Sequence, residues 1–70
     1  MPLTMASPGK EVKVVDIRDC GDIRRRLLDM GLVNGTAVRV ISRNASSLLI
    51  GVNHTRLVLD FGLAYRILVQ

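Results

Sequence analysis

The chain has 70 residues, of which 49% are hydrophobic and 23% are charged, and its formal net charge is +4. A domain of this length buries only about 60% of the surface that its unfolded chain exposes, which leaves little material for the walls of an enzyme cleft. A binding or accessory module is therefore expected, and the positive charge admits nucleic acid or another acidic partner.

The N-terminal half predicts one strand followed by one short helix. Residues 1–9 show no periodicity and are expected to form a flexible arm, so that a single domain covers residues 10–70. The β-branched stretch EVKVVDI, residues 11–17, predicts a strand. Over residues 22–30 the apolar positions change to a helical period, which predicts a short helix.

This helix is expected to pack through one apolar stripe and to end at a glycine. Ile23, Leu27 and Met30 fall within one narrow arc of the helical wheel. We expect Leu27 and Met30 to plug one end of the core. Gly31 follows where a left-handed residue commonly ends a helix, and Gly35 is expected to turn the chain into the next strand.

The C-terminal half is dominated by predicted strands with tight connections. Asn53 and His54 predict a two-residue turn, and DFGLAY, residues 60–65, predicts one helical turn. The strands themselves are predicted from alternating apolar residues. They cover residues 36–43, 47–53, 55–60 and 66–69.

Five short strands with short connections predict antiparallel neighbours. A small chain removes the exposed edges of a sheet best when the sheet curls into a barrel. We therefore expect a mainly β fold, namely a small SH3-like barrel of about five antiparallel strands with one short α-helix after the first strand. An OB-like barrel is the alternative architecture.

The arginine run at 24–26 raises the question of nucleic-acid binding. Residues 18–30 carry three aspartates against four arginines, and Asp22 stands four residues before Arg26, where a helical ion pair is favourable. Phosphate binding needs uncompensated charge, and base binding usually needs stacking aromatics, which are scarce in this chain. A solvated, self-paired helix face is favoured, and no nucleic-acid partner is expected.

Arg24 does not fit a purely solvated helix face, because on the helical wheel it projects between Leu27 and Leu28. It either lies along the edge of the core or borders a contact surface, and Leu28 is either core or partly exposed. An arginine beside an exposed leucine suits a protein interface. The candidate partner-binding residues are Arg24, Arg25, Leu28, Asn53 and His54.

Cys20 and His54 are the strongest metal-ligand types in the chain apart from its methionines. A stable transition-metal site needs three or four convergent ligands at a recognisable spacing, and the sequence offers no such cluster. We interpret His54 as a turn residue and Cys20 as a filler or loop residue. The sequence also lacks a phosphate-binding glycine loop and a nucleophile beside a base, so neither a metal, a cofactor nor an enzymatic activity is expected.

The sequence also bears on the compartment. The start MPLTMASPGK does not resemble a signal peptide, and no apolar stretch approaches the ~20 residues that cross a bilayer. A single cysteine forms no intrachain disulfide and is compatible with a reducing compartment. We expect a cytoplasmic protein.

The stretch RRRLLDMGLVNGTAVRV, residues 24–40, resembles the signature of the FeoA family of small SH3-like proteins associated with bacterial ferrous iron uptake. The resemblance implies an accessory protein that docks on the FeoB membrane GTPase transporter, through its GTP-binding part or its channel-facing surface, and meets the membrane only through that transporter. The chain is also similar to the C-terminal SH3-like domain of iron-dependent repressors, so a nucleic-acid-binding or transcription-regulator module is the alternative. The matching residues are Arg26, Leu27, Leu28, Asp29, Met30, Gly31, Leu32, Gly35, Val38 and Val40.

Overall fold

The computed structural model describes residues 1–19 and 21–70. The prediction for Cys20 lies outside the described residues. Five antiparallel strands form one sheet in the order β4-β3-β2-β1-β5, which confirms the predicted mainly β fold with a short helix after the first strand. The elements are a 3-10 turn at Leu3–Met5, β1 at Glu11–Ile17, α1 at Asp22–Asp29, β2 at Ala37–Arg43, β3 at Ser47–Val52, β4 at Thr55–Asp60, α2 at Phe61–Ala64 and β5 at Ile67–Val69.

β1 is shared between the two parts of the sheet. Its first half pairs with β2 and its second half pairs with β5, and the register shifts between Val14 and Asp16. Such irregularities bend a strand and increase its twist. The bend lets the sheet fold around one hydrophobic core, to which all five strands contribute buried residues.

The N-terminal segment packs against this sheet, although the sequence predicts a flexible arm over residues 1–9. Leu3 and Ala6 are buried in the core. The amine of Met1 donates to a carbonyl of β5, and the guanidinium of Arg43 donates to two carbonyls of the segment. The segment shows no periodicity because it buries single residues from a 3-10 turn rather than a repeating face.

The inward faces of the central strands are those that the alternation predicts. In β3 every second residue is buried, in β2 the alternation runs as far as Val40, and β4 contributes the buried Leu59. Each fully buried aliphatic side chain contributes about 1.5–3 kcal/mol relative to an exposed one. The buried residues of β2 and β3 are Val38, Val40, Leu48, Ile50 and Val52.

α1 ends in the glycine turn that the sequence predicts. Gly31 has φ +91°, and Gly35, at the next turn, has φ +90°. The N–H of Gly31 donates to the carbonyl of Leu28 at 3.0 Å, and the N–H of Leu32 donates to that of Leu27 at 3.1 Å. These two bonds form a Schellman motif, and the buried side chains of Leu27 and Leu32 are its hydrophobic pair.

The prediction that Met30 plugs the core is wrong. Met30 is the C-cap residue of α1, and it is 37% exposed. The helical wheel extends the apolar stripe one residue too far, because the chain reverses direction at Gly31. Leu32, which follows the glycine, is fully buried in the core.

Candidate functional site

Arg24 connects α1 to the end of β1. Its Nη1 donates to the carbonyl of Ile17 at 3.0 Å and lies 3.7 Å from Oδ1 of Asp16. The side chain is 43% exposed. Of the two positions that the sequence leaves open, the structure therefore shows Arg24 along the edge of the core, where it holds the helix against the strand.

The C-terminal end of α1 carries three exposed apolar side chains. Leu28 is 36% exposed, Met30 is 37% exposed and Val33 is 45% exposed. Single exposed apolar residues are common on proteins, but here three of them lie within residues 28–33. We call these three residues the helix-end surface.

Asn53 and His54 form the hairpin tip between β3 and β4. Val52 pairs with Thr55, so the loop has two residues, and both have positive φ, 51° for Asn53 and 67° for His54. Two central residues of positive φ make the mirror-image turn that suits the right-handed twist of a hairpin. Both side chains are exposed, and the turn predicted from the sequence is confirmed.

The fold brings the hairpin tip beside the end of α1. A Cβ atom placed on Gly31 would lie 3.2 Å from Nδ2 of Asn53. The sequence offers the helix margin and the hairpin tip as two separate candidates, since more than twenty residues separate them. In the structure the hairpin tip lies beside Gly31, the residue that follows the helix.

The arginine run is less self-paired than the sequence predicts. Within the described part of the chain, Arg24 pairs with Asp16, and no ion pair joins Asp22 to Arg26. Asp22 is the first residue of α1, where the helix N-terminus itself attracts a carboxylate. Arg25 and Arg26 are exposed and add positive charge near the helix-end surface.

Across residues 1–19 and 21–70, no three His, Cys, Asp or Glu side chains come together as metal ligands. His54 lies in the predicted turn. That the protein has no metal site stays a prediction. Neither helix in the described ranges is long and apolar enough to span a membrane.

The sequence interpretation misses a cleft lined by two aromatic side chains. Phe61 and Tyr65 line one cleft of about 610 Å³ together with Arg18 and Arg66. Arg66 is held there by Asp19, whose Oδ2 lies 2.9 Å from its Nη1. The two aromatics stand four residues apart, a spacing that puts side chains on one side of a helical turn and that could have indicated the cleft.

A sequence model described as the FeoA domain matches residues 1–70. The structure is similar to that of an iron uptake regulatory protein, FeoA, with 31% identity, a TM-score of 0.92, and coverage of 100% of this chain and 95% of that chain. It is also similar to Stenotrophomonas maltophilia FeoA complexed with zinc, with 29% identity, a TM-score of 0.89, and coverage of 100% and 89%. That protein is described as a prokaryotic SH3 domain protein and a candidate activating factor of ferrous iron transport.

A manganese-dependent transcriptional repressor shares the fold at greater sequence distance. The identity is 20% and the TM-score is 0.86, with 96% of this chain and 39% of the repressor covered. At this identity the likeness shows the fold alone. A comparison with curated protein sequences gives no match.

Proposed function

The chain belongs to the FeoA family, and on that premise we propose that it is an accessory protein of ferrous iron uptake that docks on the cytosolic part of a FeoB-type transporter. The family is associated with ferrous iron transport. Our proposal adds two statements: the partner is the transporter, and the chain docks on it through a defined surface. The role is one of binding, without catalysis.

The observation that carries this proposal is the exposed apolar helix end beside the hairpin tip. Leu28, Met30 and Val33 are exposed although they lie next to the buried Leu27 and Leu32. A Cβ atom placed on Gly31 would lie 3.2 Å from Nδ2 of Asn53, so the hairpin tip lies next to the glycine that stands between Met30 and Val33 in the chain. A few residues usually carry most of the binding energy of a protein interface.

The charged residues around this surface have a different task from the apolar ones. Arg25 and Arg26 are exposed and suit long-range attraction of an acidic partner, which raises the association rate. Leu28 offers apolar area that leaves water only in the complex, which lowers the dissociation rate. Arg24 acts indirectly, because its bond to Ile17 sets the orientation of the helix.

Co-purification with the transporter tests the proposal. Leu28→Ser should reduce the amount of protein recovered with membranes that contain the transporter, since it removes the central apolar group. Val58→Ser is the matched control, because Val58 is 68% exposed on β4, away from the helix-end residues in the chain. Both variants should keep the folded NMR spectrum. Equal recovery of Leu28→Ser and the parent protein would remove the helix end from the interface.

A further inference from the structure

A groove of about 610 Å³ crosses the outer face of the sheet beside the hairpin tip. One row of residues crosses it from strand to strand: Glu11 stands opposite Arg39, Arg39 opposite Gly51, and Gly51 opposite Arg56. Directly opposed residues of antiparallel strands present their side chains on the same face. Two arginines therefore flank a position that has no side chain. We call this feature the sheet groove.

The glycine at the centre of the row has neither a positive φ nor a steric block against a side chain. Gly51 lies inside β3 and is not among the glycines of positive φ. A Cβ atom there would lie 3.6 Å from Cδ1 of Ile41 and 4.0 Å from the carbonyl oxygen of Arg39, which are ordinary contacts. A glycine inside a strand often marks a bulge or a place where a ligand or another backbone approaches closely. The register of β2 and β3 shifts between Val40 and Ser42, next to the pair of Arg39 and Gly51, and the missing side chain also leaves room above the strand.

The charge of the groove favours an acidic ligand. Arg39 has one weak partner, Glu11, whose Oε2 lies 4.0 Å from its Nη2. Arg56 is exposed and takes part in none of the ion pairs found in the described ranges. Asn53 and His54 form one end of the groove and add groups that can donate hydrogen bonds.

The distance between the two arginines favours a peptide ligand over a single small anion. Adjacent strands lie about 4.8 Å apart, so the backbones of Arg39 and Arg56, with β3 between them, are about 10 Å apart. This separation suits two carboxylates of one chain segment, each paired with one guanidinium in the two-point geometry that arginine favours.

We propose that the sheet groove binds a protein segment with paired Asp or Glu residues. The backbone of the segment lies over Gly51, and its carboxylates pair with Arg39 and Arg56. This site does not include the helix-end surface, but it shares the hairpin tip, Asn53 and His54, with the proposed docking surface.

NMR titration of the isotope-labelled full chain with a hexa-glutamate peptide at low salt tests this proposal. The peptide should shift the amides around Arg39, Gly51 and Arg56 in a saturable manner, and a hexa-glutamine peptide should not. Arg56→Glu should weaken the binding at least about tenfold, because it replaces attraction by repulsion. Lys10→Glu is the matched control, since it makes the same charge change at an exposed residue outside the groove.

Gly51→Val tests whether the bound segment needs the open space above Gly51, and it does so without a change of charge. The β-branched residue suits a strand, and it would fill the floor of the groove. We expect it to abolish the shifts while the spectrum stays folded; if it does not fold, Arg56→Glu decides alone. Equal weakening by Lys10→Glu and Arg56→Glu would overturn the proposal, because the binding would then follow net charge. The proposal would also be overturned if inorganic phosphate or phosphatidylglycerol vesicles shifted the same amides in a saturable manner and hexa-glutamate did not.

Discussion

Gly31 combines a left-handed backbone conformation with a close neighbour, Asn53. Its φ of +91° lies in the region that side chains rarely adopt, and a Cβ atom would meet Nδ2 of Asn53 at 3.2 Å. We predict that Gly31→Val lowers the free energy of unfolding by about 1–3 kcal/mol. Arg25→Ala, at an exposed residue of α1, should change it by less than about 0.5 kcal/mol. Thermal melts of the two variants side by side check this, and equal midpoints would contradict the left-handed turn.

The neighbouring leucines of α1 differ sharply in burial, which gives a second prediction at this scale. Leu27 is fully buried, whereas Leu28 is 36% exposed. Leu27→Ala should lower the free energy of unfolding by about 2–5 kcal/mol, because it leaves a cavity in the core. Leu28→Ala should cost less than Leu27→Ala, because Leu28 is already 36% exposed and loses less buried apolar area. Urea denaturation measures both values, and a larger loss for Leu28→Ala would place that residue in the core.

At the level of elements, the attachment of α1 depends on few contacts. An eight-residue helix is not stable alone in water, so its packing and the bond from Arg24 to Ile17 must hold it. We predict that Arg24→Ala speeds hydrogen exchange of the α1 amides and leaves exchange in β3 unchanged. Arg25→Ala is the control. Unchanged exchange in α1 would show that Arg24 does not position the helix.

The sequence predicts elements well where a repeating pattern exists. The bounds of β1 and β4 agree with the stretches 11–17 and 55–60, because alternation and turn residues define them locally. The N-terminal segment was not predicted, since Leu3 is buried by long-range packing that leaves no periodic trace. The proximity of Asn53 to Gly31 could not be predicted either, because it depends on how the helix end and the hairpin pack in three dimensions.

At the scale of the whole molecule, the N-terminal segment is part of the core rather than an appendage. Leu3 is fully buried, and Met1 is bonded to β5. Leu3→Ala should therefore lower the free energy of unfolding by about 2–5 kcal/mol, a large part of the stability of so small a domain. Met5→Ala, at an exposed residue of the same turn, is the control. A chemical denaturation curve unchanged by Leu3→Ala would support a flexible arm instead.

The central claim is that the helix end and the hairpin tip form one docking surface for the transporter. The most direct measurement is the binding kinetics of purified variants on a FeoB-type transporter held in lipid nanodiscs. Leu28→Ser should raise the dissociation rate about tenfold or more, and Arg25→Glu should mainly lower the association rate, with a dependence on salt. His54→Ala, at the adjoining hairpin tip, should weaken binding in the same assay. Parent-like kinetics for all three folded variants would contradict the account.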